Sequence, residues 1–120
     1  MPRILVIDDN EDTLYLIKEL LEFNGYPTAI LSRDMTAFKM IETFKPDIIL
    51  LDINLTDLDG RDICLQVKSN SRTKNIRIIL FSGIITSKLD YEQYGCDDFI
   101  EKPIKPKELL KKINAVFAKS

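Results

Sequence analysis

Residues 47–52 read Asp-Ile-Ile-Leu-Leu-Asp, four apolar residues in a row between two carboxylates. Similar apolar runs stand at 4–7 (Ile-Leu-Val-Ile) and 78–81 (Ile-Ile-Leu-Phe). Unbroken runs rich in Ile and Val favour strands that are buried on both faces of a parallel sheet. The stretch at 47–52 therefore predicts a central strand of an α/β fold, with Asp52 at its carboxyl end.

Helical patterns alternate with apolar runs along the whole chain. Five strands are expected at 4–7, 26–31, 47–51, 76–81 and 98–101. The inward residues expected in the clear helices are Leu14, Ile17, Leu20, Leu21 and Phe23; Met35, Phe38, Ile41 and Phe44; Ile63, Cys64 and Val67; and Leu109, Leu110, Ile113, Val116 and Phe117. A weakly patterned segment at 86–94 predicts a short fourth helix. Five alternations imply a parallel sheet covered by helices on both faces.

Local signals support these element boundaries. Asp12 or a neighbouring residue is expected to cap the first helix, and Asn24-Gly25 to end it. Gly60 permits a turn before the third helix. Pro106 suits the first position of the last helix.

The size and composition of the chain predict one globular domain over residues 1–120. Apolar residues make up 45% of the sequence and charged residues 30%. No apolar run is long enough to cross a bilayer, and no cleavable signal is evident, so a cytoplasmic location is expected. The formal net charge of −2 argues against direct binding to nucleic acid.

The cysteine and histidine content narrows the chemistry. The two cysteines, Cys64 and Cys96, lack metal-binding spacing, so they are expected to be buried thiols rather than a disulfide. The chain has no histidine, which excludes Ser-His-Asp and Cys-His catalysis and zinc sites built on His. Any metal ion would be bound through oxygen.

A polar residue follows each of the predicted strands 1, 3, 4 and 5. Asp8 and Asp9 follow the first strand, Asp52 the third, Ser82 the fourth and Lys102 the fifth. Singly, they could be a helix cap, turn residues and a surface lysine. Because the carboxyl ends of parallel strands meet at one sheet edge, we expect all of them to form one site.

Three carboxylates in one pocket repel each other and favour binding of a divalent cation. All-oxygen ligands with room for water suit Mg²⁺. A carboxylate oxygen of Asp52 could then attack a phosphoryl group. Phosphoryl transfer needs chiefly charge neutralisation at the equatorial oxygens, which Mg²⁺, Lys102, the Ser82 hydroxyl and the Gly83 amide could provide.

The chain resembles the receiver domain of two-component response regulators over its whole length. The segments that carry the resemblance are 6–10 (Val-Ile-Asp-Asp-Asn), 47–52, Asp59-Gly60, Ser82-Gly83 and 95–103 (Gly-Cys-Asp-Asp-Phe-Ile-Glu-Lys-Pro). The resemblance implies a flavodoxin-like, doubly wound sheet of five parallel strands in the order 2-1-3-4-5, flanked by five helices.

The resemblance also implies a role for individual residues. Asp52 would be the phosphoacceptor, and Asp8 and Asp9 would bind Mg²⁺ with Asp52 and the backbone carbonyl of Asn54. Asn54 and Gly83 would also contact the phosphoryl group. Lys102 would be the lysine found at the phosphorylation site in this family, and Ser82 and Phe99 would be the paired switch residues. The peptide bond between Lys102 and Pro103 would be cis.

The partners implied are a sensor histidine kinase or histidine phosphotransfer protein, and a downstream effector of unknown identity. Phosphorylation would change the surface made by the fourth helix, the fifth strand and the last helix, and a phosphorylation-dependent homodimer is compatible with this. The domain would be a signalling module, not an enzyme beyond Mg²⁺-dependent self-phosphorylation and autodephosphorylation. No membrane contact is expected.

The sequence departs from the family pattern at several positions. Leu55-Thr56 replaces the usual Met-Pro or Leu-Pro, Phe99 lacks the hydroxyl of the commoner Tyr, and the segment between Ser82 and Lys102 is about two residues short, a count that rests on the resemblance. Two alternatives stay open: a scaffold that acts without phosphorylation, and an aspartyl phosphatase, which the absence of a second acid after Asp52 disfavours.

Overall fold

The structure is a computed structural model that describes residues 2–32, 37–53, 60–83 and 95–118. Five strands and four helices lie within these residues. They are β1 (Ile4–Ile7), α1 (Glu11–Phe23), β2 (Thr28–Leu31), α2 (Ala37–Phe44), β3 (Ile48–Asp52), α3 (Gly60–Ser69), β4 (Arg77–Ser82), β5 (Asp98–Glu101) and α4 (Pro106–Ala118). The helix expected at 86–94 lies outside the described residues.

All strands are parallel and lie in one sheet in the order β2-β1-β3-β4-β5, which confirms the predicted topology. In the ladder Ile7 is paired with Leu51, Asp52 with Phe81, and Ser82 with Glu101. The residues that follow β1, β3, β4 and β5 therefore emerge at the same edge of the sheet. This register decides where the polar side chains meet.

The first helix is capped by Asn10 rather than by Asp12. The Asn10 side chain accepts a hydrogen bond of 3.0 Å from the backbone amide of Thr13, which satisfies one exposed donor at the helix start. The helix ends at Asn24, and Gly25 then adopts a positive φ of 89°. A glycine there avoids the steric cost of the left-handed conformation.

Each face of the sheet packs on its own apolar layer. One layer contains buried residues of α2 and α3, and the other contains buried residues of α1 and α4. β2, at the edge of the sheet, is only partly buried, whereas β1 and β3 are buried throughout and β4 almost throughout. This explains why their sequences are continuous apolar runs rather than alternating ones.

Three aromatic residues that the helical patterns assigned to the core are in fact exposed. Phe23 is 90% exposed, Phe38 42% and Phe117 48%. Each lies one or two positions after a buried residue near a helix end. Because successive residues of a helix are rotated by about 100°, each of these side chains points away from the buried face.

The expectation of two separate thiols was wrong. Cys64 of α3 and Cys96, two residues before β5, form a disulfide, and neither is a free cysteine. Both are buried as expected. Sequence spacing gave no sign of the pairing because it arises from the packing of α3 against the chain before β5.

No helix among the described residues has the length and apolar character needed to cross a bilayer.

Candidate functional site

The centre of the site is an ammonium group between two buried carboxylates. The Nζ atom of Lys102 lies 3.1 Å from Asp8 Oδ2 and 3.2 Å from Asp52 Oδ2. The side chains of Asp8 and Asp52 are only 2% and 6% exposed. Lys102 thus donates charge-assisted hydrogen bonds to two carboxylates that lie far from it in sequence. Asp8 is 94 residues away and Asp52 is 50 residues away.

Asp8 is held by its neighbours on both sides. Its backbone amide donates to the carbonyl of Leu31 at 3.2 Å, which extends the β1–β2 ladder by one residue. Its Oδ1 atom accepts a 2.9 Å hydrogen bond from the amide of Asn10, and its Oδ2 atom faces Lys102. Asn10 therefore both orients the carboxylate of Asp8 and caps α1, and the sequence pattern did not single it out for either role.

Asp52 is fixed by the end of β3 and the start of α3. The amide of Ile53 donates to Phe81 at 3.1 Å, and the amide of Gly60 donates to Ile53 at 2.7 Å. A Cβ atom at Gly60 would overlap the carbonyl oxygen of Asp52. Only a glycine lets α3 begin this close to the carboxylate-bearing residue.

Ser82 is completely buried at the end of β4, directly beside the lysine. The backbone amide of Lys102 donates to the carbonyl of Ser82 at 2.8 Å, so the β4–β5 ladder continues into the site. Pro103, the residue after Lys102, is joined to it by a cis peptide bond, as predicted. Gly83, which follows Ser82, is exposed.

The environment of Lys102 keeps it charged. Partial burial lowers the pKa of its ammonium, but the carboxylates of Asp52 and Asp8 more than offset this, so the pKa lies above its ordinary value of 10.5. The ring of Phe81 adds a cation–π contact, with Nζ 5.1 Å from the ring centroid. The sequence pattern did not single out Phe81, although its position just before Ser82 places it at the same edge of the sheet.

Phe99 lies in β5, next to the strand that ends at Ser82. It is paired with Leu80 in the sheet and is 5% exposed. It belongs to the apolar cluster that also contains Val67, Cys64 and Cys96. The aromatic side chain is thus already inside the protein in this structure.

The net charge of the site favours binding of a divalent cation. The formal charges of Asp8, Asp9, Asp52 and Lys102 sum to −2. Two of these carboxylates are nearly desolvated, which makes an added cation favourable. No group of three or more His, Cys, Asp or Glu among the described residues is arranged to hold a metal ion, and Asn54 lies outside those residues.

An apolar groove of about 660 Å³ lies next to the lysine. One wall is the face of α1 that contains Thr13, Leu16 and Leu20, and the other is formed by Pro103 and Ile104. Leu16 is 68% exposed in this groove. An exposed apolar surface adjoining a charged site is typical of a contact surface.

Residues 4–114 match the family model described as the response regulator receiver domain. The chain belongs to this family. Receiver domains are the signalling domains of two-component response regulators and generally bind Mg²⁺ at their phosphorylation site.

Curated relatives of this receiver domain are response regulators about twice its length. It is 33% identical over 118 residues to the alkaline phosphatase synthesis transcriptional regulatory protein PhoP of Bacillus subtilis, covering 98% of this chain and 49% of that protein. It is 31% identical over 113 residues to the DNA-binding response regulator MtrA of Mycobacterium leprae, covering 94% and 50%. The chain therefore spans about half the length of the curated relatives it matches.

Solved structures share the fold of this receiver domain. A CheY-like receiver domain protein from Methanospirillum hungatei has a TM-score of 0.89 at 28% identity, covering 98% of this chain and 94% of that one. A two-component response regulator from Clostridium difficile also has a TM-score of 0.89, at 27% identity, covering 99% and 98%.

Proposed function

We propose that Asp52 accepts a phosphoryl group and that residues 1–120 act as one phosphorylation-controlled receiver domain. The observation that carries this proposal is the placement of the Lys102 ammonium within 3.2 Å of the buried Asp52 carboxylate. A buried carboxylate held beside a fixed cation is positioned to attack phosphorus while charge on the phosphoryl oxygens is neutralised.

Each side chain has a part in this reaction. An Asp52 oxygen attacks phosphorus, and the leaving group departs from the opposite side. Lys102 stays protonated, because its pKa is raised, and neutralises one phosphoryl oxygen. The Ser82 hydroxyl and the Gly83 amide donate to another phosphoryl oxygen.

The metal-binding residues in this proposal are Asp8, Asp9 and Asp52, with the Asn54 backbone carbonyl as a further ligand. Bound Mg²⁺ supplies positive charge against the phosphoryl oxygens and screens the carboxylates from each other. Asp8 is prepared for this role because Asn10 and Lys102 fix both of its oxygens. Asn54 is assigned to the metal and to the phosphoryl group by the family pattern.

Ser82 and Phe99 form the switch that responds to phosphorylation. A phosphoryl group brings roughly −1.5 to −2 charges and new acceptor oxygens, which attract the Ser82 hydroxyl. Phe99 is paired with Leu80, two residues before Ser82 in β4, so a shift of β4 changes its packing. The surface that includes β5 and the last helix then differs between the two states.

The phosphodonor is a sensor histidine kinase or a histidine phosphotransfer protein, and it docks on the groove beside Lys102. Leu16 and Ile104 provide apolar contact there, close enough to the site for a donor to reach Asp52. Nucleic-acid binding is assigned to no residue of this chain, because its net charge is −2. The output is a protein contact with an effector or a second copy, at a cytoplasmic location.

The decisive experiment is intact-protein mass spectrometry after incubation with acetyl phosphate and Mg²⁺. We expect one phosphoryl adduct in the wild type, its loss in Asp52→Asn, and its retention in Asp62→Asn, which alters an exposed acid of α3. An adduct that persists in Asp52→Asn contradicts the assignment. A wild type that takes up no phosphoryl group favours the phosphorylation-independent scaffold.

A further inference from the structure

We infer that Cys64 and Cys96 form a reversible, redox-controlled disulfide that restrains the start of β5 against α3. Cys64 lies one turn into α3, and Cys96 lies two residues before β5. Their Cα atoms are 6.5 Å apart, within the range that a disulfide spans without backbone movement. Neither residue takes part in the proposed phosphoryl chemistry.

A second pair of contacts holds the same two segments together. Lys68 follows Cys64 by one helical turn, and its Nζ atom lies 2.9 Å from Oδ2 of Asp97, the residue after Cys96. The same Nζ atom donates to the carbonyl of Ile76 at 2.6 Å. We call this region, made of Cys64, Lys68 and residues 95–97, the α3 seam.

The backbone at residue 95 is adapted to this close approach. Gly95 has a φ of +79°, and a Cβ atom there would lie 3.3 Å from Cγ of Lys68. The ion pair and the glycine do not depend on oxidation. They keep the two sulfur atoms near each other after reduction, so the bond can form again without large movement.

The two cysteines differ in their exposure to solvent. Cys64 is 0% exposed as a residue and Cys96 is 7% exposed, so the first exchange step is assigned to Cys96. On oxidation by a small disulfide such as oxidised glutathione, the Cys96 thiolate attacks a glutathione sulfur and releases one glutathione thiolate. The Cys64 thiolate then attacks Cys96 and releases the second. The two protein thiols lose two electrons and two protons, and the small disulfide becomes two thiols.

The α3 seam is connected to the proposed phosphoacceptor through α3 and to the switch residue Phe99 through the apolar cluster. α3 begins at Gly60, whose amide bonds to Ile53 next to Asp52. Phe99 lies three residues after Cys96 and packs in the same cluster as both cysteines. A covalent bond across the seam therefore restrains Phe99 in its buried position, whereas the reduced seam holds it only through noncovalent contacts. This second part of the inference rests on the proposed function, and the disulfide itself does not.

Thiol counting in glutathione buffers tests the disulfide directly. The folded wild-type protein is equilibrated with reduced and oxidised glutathione, then denatured and alkylated with a maleimide. We expect two additions in reducing buffer and none in oxidising buffer, with full return on re-reduction. Lys68→Met should lose part of the oxidised fraction at a given buffer ratio. Two additions at every ratio would overturn the inference.

Hydrogen exchange of the wild-type protein in its oxidised and reduced forms then tests the restraint. Amides of residues 95–104 should exchange more slowly in the oxidised form. The difference should vanish in Cys64→Ala and Cys96→Ala. Equal exchange in oxidised and reduced wild type would overturn the restraint.

The same exchange measurement with Mg²⁺ and beryllofluoride separates the two proposals. We expect these reagents to change exchange at 95–104 in the reduced protein and to change it less in the oxidised protein. No change in the reduced protein would count against the function proposed for Asp52, while the redox restraint would still be judged from the protein without beryllofluoride. An equal change in both forms would show that the disulfide does not control the switch.

Discussion

Lys102 and Asp52 are 50 residues apart in sequence, yet the ammonium of one lies 3.2 Å from the carboxylate of the other at the edge of the sheet. The contact depends on the register of β3, β4 and β5, which brings their carboxyl ends together. It is also the contact that most constrains the chemistry, because it fixes a positive charge beside the proposed nucleophile.

Replacing Lys102 with Met should slow phosphorylation of Asp52 by acetyl phosphate. Loss of one fixed charge-stabilising donor typically costs about 100-fold or more in rate. Initial rates from intact-protein mass spectrometry would measure this effect. Lys107→Met, which removes an exposed charge from α4, is the matched control and should react like the wild type. Equal rates for the two variants would remove Lys102 from the mechanism.

The raised pKa of Lys102 predicts a specific dependence of stability on pH. Because the pKa is higher in the folded protein than its ordinary value of 10.5, the ammonium contributes stability that is fully present below 10.5. That contribution is lost as the pH rises through the folded-state pKa. Urea unfolding of wild type and Lys102→Met should therefore give a constant free-energy difference from pH 7 to 9.5. Above pH 10.5 the free energy of unfolding of the wild type should fall relative to that of Lys102→Met. A change in the difference near neutral pH would contradict the raised pKa of Lys102.

Gly60 and Gly83 offer a matched pair of alanine substitutions. At Gly60 a Cβ atom would overlap the backbone of Asp52, whereas at Gly83 no atom lies within 4 Å of the added Cβ. Gly60→Ala should lower the free energy of unfolding by about 1–3 kcal/mol, the usual cost of overpacking. Gly83→Ala should leave it nearly unchanged. Urea denaturation of both variants tests this, and equal stability would show that α3 does not need to begin against Asp52.

The groove beside Lys102 predicts a difference between small and protein phosphodonors. Leu16→Asp should reduce transfer from a phosphorylated histidine protein about tenfold or more, as for loss of an apolar interface anchor. The same variant should react normally with acetyl phosphate, since a small donor does not need the groove that Leu16 lines. Phe23→Asp alters a more exposed apolar residue farther along α1 and is the control. A Leu16 variant that is unaffected with protein donors would place the docking surface elsewhere.

Much of this arrangement could be predicted because it depends on local pattern. The continuous apolar runs at β1, β3 and β4 identify buried parallel strands, and parallel strands align the residues that follow them. Asp8, Asp52 and Lys102 were therefore expected to meet, and their contacts place them together.

The features that were missed depend on packing between distant segments. Nothing in the spacing of Cys64 and Cys96 indicates that α3 lies against the chain before β5. Phe23 follows buried Leu21 by two positions, which turns it toward the outside of α1 despite its apolar side chain. Asn10 was expected only as part of a family motif, whereas the structure shows it holding both Asp8 and the start of α1.

Fluorine NMR of bound beryllofluoride, a phosphoryl mimic, is the most direct test of Asp52 as a magnesium-dependent phosphoacceptor. With Mg²⁺ present, the wild type should show bound fluoride resonances that disappear in Asp52→Asn and require a higher Mg²⁺ concentration in Asp8→Asn. The Asp62→Asn control should match the wild type. Bound resonances that survive in Asp52→Asn, or that form equally well without Mg²⁺, would contradict a magnesium-dependent phosphoacceptor at Asp52.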